Sequence, residues 1–231
     1  MQSLIRPQTN FKTLEAPSES EILSTIRRTA EAHFESAPGS HDWEHTLRVH
    51  RLCRKMGPAE GADMLVLEAA AYLHDIGRSV QDQSNGSICH AVKGAEIAAT
   101  ILSDFPMENH LKRNIVQSIR THRFRDAHVP GTIEARILFD ADKLDAIGAV
   151  GVARAYLFAG ELGACLHNPN VAGEDALPYS RNDTGHREYV VKLSKIKDRM
   201  LTNAGKKMAM ERDAFMNAFF KRFLDEYDGK C

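Results

Sequence analysis

Nowhere does this chain alternate apolar and polar residues in the period of two that a half-buried strand needs. Where apolar residues recur, they return every three or four positions. That pattern restricts the fold to an all-α class, a helical bundle. The first helix is announced at Ser18 and Glu21, a capping-box pair, followed by Ile22, Ile26 and Ala30, and Gly39 in "SAPGS" stops it. A second helix is expected from 40–42 through Met56, closed by "MGPAEG", and a third from near Asp63 to "HDIGR". The stretch "SVQDQSNGSIC" reads as a polar loop. A helix over 90–103 is closed by Pro106, and Leu111, Ile115, Ile119 and His122 form one face of the next. Thr132 caps a helix holding "IEARILFDADKLDAIG", and a further apolar helix reaches about Ala159. Residues 160–186 are rich in Gly, Pro, Asn and Asp, a length that compact domains reserve for functional or mobile loops. Two last helices are expected over 189–203 and 206–227. With no internal repeat, the organisation is an N-terminal arm over 1–17 and one domain over 18–228 carrying the 160–186 insertion, which is expected to form a lid at the site mouth.

Charge and cysteine usage narrow the partners. Lys plus Arg total 30 against 31 for Asp plus Glu, so nothing electrostatic calls for nucleic acid or a membrane surface. A small anionic substrate needs only a few local cations. The four cysteines, Cys53, Cys89, Cys165 and Cys231, form no C-x-x-C pair and read as reduced thiols. No signal-like apolar core precedes residue 20, and no charge-free run reaches membrane-spanning length. The expectation is a soluble cytoplasmic protein; the sequence leaves a homodimer open.

The chemistry concentrates in a few places. Leu138, Ala141, Asp142 and Asp145 share one helix face. A carboxylate among apolar neighbours needs a partner, because unpaired charge burial costs several kcal/mol. A divalent cation is one such partner; Arg136 or Lys143 is the plainer one. The alanine-rich helix "EAAAYLHDIGR" likewise ends in His74 and Asp75, where a core helix should meet its neighbours. An imidazole beside a carboxylate suits a cation of intermediate hardness; the plain alternative is a C-terminal cap and a surface hydrogen bond. "HDWEH" spaces His41 and His45 like a zinc-protease pair, but its glutamate stands at the wrong position for the general base. No phosphate-binding glycine loop or dinucleotide fingerprint occurs.

The order His45, His74-Asp75, Asp142, set within "HDWEHTLRV", "AAAYLHDIGR" and "DADKLDAIGAVGVAR", resembles the signature of the HD-domain metal-dependent phosphohydrolases. The tail "KMAMERDAFMNAFFKRFLDE" is similar to a stand-alone bacterial subgroup of nucleotide pyrophosphohydrolase type, so the resemblance runs from about 40 to 227. It implies an HD-domain-like helical bundle in which His45, His74, Asp75 and Asp142 hold one divalent cation, manganese by preference, with Mg2+, Fe2+, Co2+ and Zn2+ as alternatives. It leaves Asp140 and Asp145 as hydrogen-bonding groups behind them. His90 and His122 are then candidates for catalysis, by binding phosphate oxygens, protonating the leaving group or holding a second metal. Lys143, Arg123, His186 and Lys192 are candidate contacts to a phosphorylated small molecule. The implied reaction is nucleoside triphosphate to monophosphate plus pyrophosphate. The superfamily also contains nucleotidases and phosphodiesterases, and a non-catalytic metal-dependent nucleotide sensor is the rival class. Segment 183–193, "DTGHREYVVKL", keeps a histidine and a lysine of the subgroup but not the residues flanking that histidine.

Overall fold

Ser18 opens the first helix as expected: its backbone N–H donates to Glu21 Oε2 at 2.8 Å while its own hydroxyl accepts from Glu21 N at 3.3 Å. Two otherwise orphaned groups at the helix start are thereby satisfied. The computed structural model describes residues 17–34, 43–123, 129–171 and 175–231; among them every regular element is helical. All but the last residue of the expected arm over 1–17 and the helix start over 40–42 lie outside the described residues, as does Gly39. Helix α1 spans Glu19–Ala32 and buries Ile22, Ile26 and Ala30.

Helix α2, Trp43–Glu60, runs past the break expected after Met56. Pro58 sits in its last turn, and a Cβ on Gly57 would lie 2.6 Å from Met64 Sδ, so the glycine here serves close packing rather than a stop. Helix α3, Met64–Leu73, is capped by Asp63, whose carboxylate accepts from Val66 N at 3.1 Å. Eight of its residues are buried, from Leu65 round to Leu73, and it packs against α1 and α2 on two sides. A helix apolar on nearly all faces must lie at the centre of a bundle. Its C-terminal end therefore opens into the interior, and that is where His74 and Asp75 are placed.

The chain then turns through 74–77 into α4, Arg78–Gln83, a short helix where a loop was expected. It buries none of its residues, so it leaves no periodic signal to read. Gly77 has an ordinary negative φ; the need for glycine is again close approach. A Cβ there would collide with the His90 carbonyl and with Gly94 N, on helix α5, His90–Ser103. The bundle continues with α6, Asn109–Thr121, and α7, Ile133–Asp145, both of which pack on α3; Thr132 caps α7 by accepting from Ala135 N at 3.2 Å.

Helix α8, Gly148–Glu161, precedes the polar segment. The single helix expected over 189–203 is instead α9, Gly185–Val191, and a 3-10 segment, Leu193–Arg199. Lys192 breaks them apart with φ −136° and ψ −56°. Leu193 and Ile196 are both buried, and a spacing of three is the one a 3-10 turn keeps on one face. Helix α10, Asn203–Tyr227, starts slightly earlier than expected because Thr202 caps it. Its start is fixed by the buried Asp140 of α7, which accepts from Leu201 N and Thr202 N at 2.8 Å each and from the Thr202 hydroxyl at 2.6 Å. Among the described residues no helix is long and apolar enough to cross a membrane.

Candidate metal centre

Six side chains from five parts of the bundle converge at the inner end of α3. His45 comes from α2, His74 and Asp75 from the turn after α3, His90 from the first position of α5, His122 from the residue capping α6, and Asp142 from the last turns of α7. All four imidazoles and Asp75 are at most 2% exposed, and Asp142 is 17% exposed. His45 Nε2 lies 3.3 Å from His74 Nε2 and 3.4 Å from Asp142 Oδ1. His90 Nε2 lies 3.2 Å from His122 Nε2 and 3.2 Å from Asp75 Oδ1, which is 3.6 Å from His122 Nε2. The donors thus fall into two trios, His45/His74/Asp142 and Asp75/His90/His122. Asp75 stands between them, its other oxygen 3.8 Å from both His45 Nε2 and His74 Nε2. The four residues expected to share one cation, His45, His74, Asp75 and Asp142, lie together, and Asp75 also faces His90 and His122, which were expected to serve catalysis or a second metal.

The far side of each ring decides what the near side offers. His74 Nδ1 donates to the Ala71 carbonyl at 2.8 Å, and His122 Nδ1 to the Ile119 carbonyl at 2.7 Å. His90 Nδ1 donates to Gln81 Oε1 at 2.9 Å, and His45 Nδ1 to Asp145 Oδ2 at 2.8 Å. These assignments follow from the partners, none of which is a donor. In each neutral ring Nε2 is then a bare lone pair pointing into the cluster. Burial holds His74 down at about 4 and pushes His90 far below the usual histidine range, so both are neutral. Lone pairs and carboxylate oxygens facing one another at 3.2–3.6 Å repel unless positive charge lies among them.

The first trio demands positive charge more directly. Burial alone would lower His45, yet hydrogen bonds to Asp142 and Asp145 outweigh it and raise the ring to about 9. Burial would raise Asp142, but Lys143 and His45 hold its carboxyl well below the usual range. A proton and a cation compete for the same nitrogen. Mixed nitrogen and oxygen donors of this kind fit manganese, iron, cobalt or zinc, and the neighbouring groups set ring orientation as they do at metal centres generally. The residues present fit a divalent cation in each trio.

The expected phosphate contacts divide. Lys143 Nζ pairs with Asp142 Oδ2 at 2.6 Å, which leaves Oδ1 toward His45. Arg123 Nη1 donates to Gln81 Oε1 at 3.1 Å, the same oxygen that holds His90. His186 packs edge-on to His167 at 5.0 Å and beside Phe220 at 5.4 Å, and Lys192 pairs with Glu188 at 2.5 Å. No hydrogen bond or ion pair among the described residues joins His186 or Lys192 to the cluster. The described part of the polar segment is tied to itself and to α9: Cys165 N donates to the Arg181 carbonyl at 2.9 Å, and Asp183 accepts from Tyr179 N and Arg187 Nη1 at 2.7 Å each. Sequence reading missed Gln81, placed in a loop, and Arg78, which donates to both oxygens of Asp75 at 3.2–3.4 Å. It also missed Arg48 and Arg154, which hold Asp145. An arginine directly after the His-Asp turn was the one local signal available.

The family model described as HD domain matches residues 42–147, the stretch from α2 to the end of α7. The YpgQ protein of Bacillus subtilis is 31% identical over 209 residues, covering 88% of this chain and 93% of that protein. Its crystal structure in complex with ADP superposes with a TM-score of 0.70 at 27% identity, over 90% of this chain and 95% of that one. An HD-superfamily hydrolase from Bacillus thuringiensis gives a TM-score of 0.72 at 26% identity, over 91% and 99%. Ribonuclease Y of Lawsonia intracellularis is 29% identical over 64% of this chain but only 26% of its own length.

Proposed function

Because the chain belongs to the HD-domain superfamily of hydrolases, we propose that it is a metal-dependent phosphohydrolase cleaving a nucleoside triphosphate to the monophosphate and pyrophosphate. The observation that carries the phosphohydrolase reading is the pair of adjoining donor trios, with Asp75 of one facing both imidazoles of the other. A divalent cation bound by such donors polarises a phosphoryl oxygen and brings the pKa of a bound water toward neutrality. Manganese suits the mixed donor set. His45, His74 and Asp142 hold one cation and His90, His122 and Asp75 a second; with Nδ1 of both His90 and His122 committed to acceptors, we assign these rings to metal binding rather than to proton transfer. Asp75 sets the spacing between the trios, and Arg78 keeps its carboxylate turned between them. Lys143 and Arg123 lie at the two ends of the cluster and supply the positive charge for additional phosphate oxygens.

A nucleotide substrate is supported by the ADP bound in the YpgQ structure. The likeness to ribonuclease Y favours a second reading, phosphodiester cleavage. Product analysis separates them. With manganese and a deoxynucleoside triphosphate, monophosphate plus pyrophosphate is expected. Nucleoside plus triphosphate would replace the reaction with a triphosphohydrolase one. Turnover of a dinucleotide with none of a triphosphate would establish the phosphodiesterase. Nucleotide binding with no product from any of these would make the protein a sensor.

A further inference from the structure

Asp145 is buried at 2% exposure and touches no member of the cluster except through His45. Its Oδ2 accepts from His45 Nδ1 at 2.8 Å and from Arg154 Nη1 at 2.6 Å; Arg48 spans both oxygens, Nε to Oδ1 at 2.7 Å and Nη2 to Oδ2 at 3.1 Å. Arg154 also donates to the Asp145 backbone carbonyl at 3.2 Å, and Arg212 of α10 donates to the carbonyl of Leu144 beside it. Three helices, α2, α7 and α8, thus meet on one carboxylate. Both Asp145 oxygens already accept from arginines, so the histidine hydrogen bond is not needed to satisfy the carboxylate.

We propose that Asp145 is the positioning residue of the centre: clamped by Arg48 and Arg154, it fixes the tautomer and orientation of His45 so that Nε2 faces Asp142 and His74 as an electron-pair donor. This rests on the metal-dependent reading of the cluster, not on the substrate. The reasoning is geometric. A carboxylate has only acceptors, so the nitrogen facing it carries the hydrogen in the neutral ring and the opposite nitrogen is bare. The arginines remove the freedom of the carboxylate to rotate away, because the Nε/Nη2 fork fixes its plane. His74 and His122 get the same service from backbone carbonyls within their own helices, one turn back. His45 sits in the first turn of α2, and its acceptor comes from α7.

The test is Asp145→Asn. An asparagine keeps one oxygen for the side shared by His45, Arg154 and Arg48 Nη2, but its amide NH2 then faces Arg48 Nε; the clamp loses a bond and the acceptor behind His45 becomes a neutral one. Manganese affinity is measured by electron paramagnetic resonance of the free ion, and melting temperature is measured in chelator, with Arg154→Gln as the structural control. A 10- to 100-fold loss of manganese affinity is expected, the range for partners behind a ligand. The melting temperature should fall no further than in Arg154→Gln. Wild-type affinity in a folded Asp145→Asn protein would overturn the assignment and leave Asp145 as an ion-pair link between helices. If that variant does not fold, nitrogen-15 spectra of the zinc-loaded wild type decide: a protonated Nδ1 on His45 supports the assignment, and a bare Nδ1 overturns it. Loss of affinity supports it whether or not the wild type hydrolyses a triphosphate, whereas a wild type that takes up no divalent cation overturns it together with the metal reading beneath.

Discussion

The two trios use the same ligand types, two imidazoles and one carboxylate, yet they are backed differently. Behind His45 stands a buried carboxylate clamped by two arginines; behind His90 stands the neutral amide oxygen of Gln81, which also accepts from His90 N at 3.3 Å and from Arg123. A carboxylate behind an imidazole raises its basicity, and a neutral amide does so far less. The first trio is also where carboxylates lift a ring to about 9, while the second holds a histidine that burial, with Arg78 and Arg123 nearby, keeps neutral. Identical ligand lists therefore do not make equal sites. The proposed function then requires one tight cation, at His45/His74/Asp142, and one loose cation, at Asp75/His90/His122.

The largest effect is expected where the distinction vanishes. Asp75 is a member of the second trio and stands 3.8 Å from both imidazoles of the first, so Asp75→Ala should reduce manganese-dependent turnover by about a thousandfold and weaken tight and loose binding together. Circular dichroism in chelator should show the helical content retained, since α3 ends before this residue. Metal stoichiometry after gel filtration that still equals the wild-type value would break that picture.

Next come the substitutions that split the trios. Asp142→Asn should abolish the tight cation, read as metal content after dialysis. His122→Ala should leave that content unchanged and lower the rate about a hundredfold at limiting manganese. Equal loss of tight metal in both variants would mean one site. Gln81→Ala should be milder still. It unties His90 without removing a ligand, and should raise the manganese concentration for half-maximal rate about tenfold while leaving the tight affinity unaltered.

What the sequence disclosed follows the range of the interactions involved. Helix starts were legible wherever a local cap marks them, as at Ser18, and α5 was read to its ends at 90 and 103. The metal motif was legible because its order and flanks resemble a family. The division into trios was not, since the contacts of Asp75 with His90 and His122 depend on how α5 and α6 pack rather than on any spacing. The role of Asp145 was hidden further: the bond to His45 spans 100 positions, and an acidic residue three places after a ligand on the same helix reads equally well as a ligand, a hydrogen-bonding group or surface. Helix α4 escaped because it buries nothing.

The smallest effects test how far the comparison extends beyond the cluster. If substrate phosphates are met only by the two cations and by Lys143 and Arg123, then residues of α9 should be indifferent to substrate. Lys192 is exposed and paired four residues back with Glu188, a contact worth little in water. Lys192→Ala should change kcat and KM by less than about twofold and leave the melting temperature as it was. His186 differs in one respect. It fills a half-buried aromatic nest with His167, Phe220 and Tyr189, so His186→Ala should lower the melting temperature through lost packing while KM stays put. A KM for the triphosphate raised tenfold or more in either variant, with manganese affinity unchanged, would show the opposite. The bound substrate would then reach α9, and the polar segment before it would have the lid role that the sequence first suggested. The asymmetry between the trios would remain, but substrate affinity would be set largely outside them.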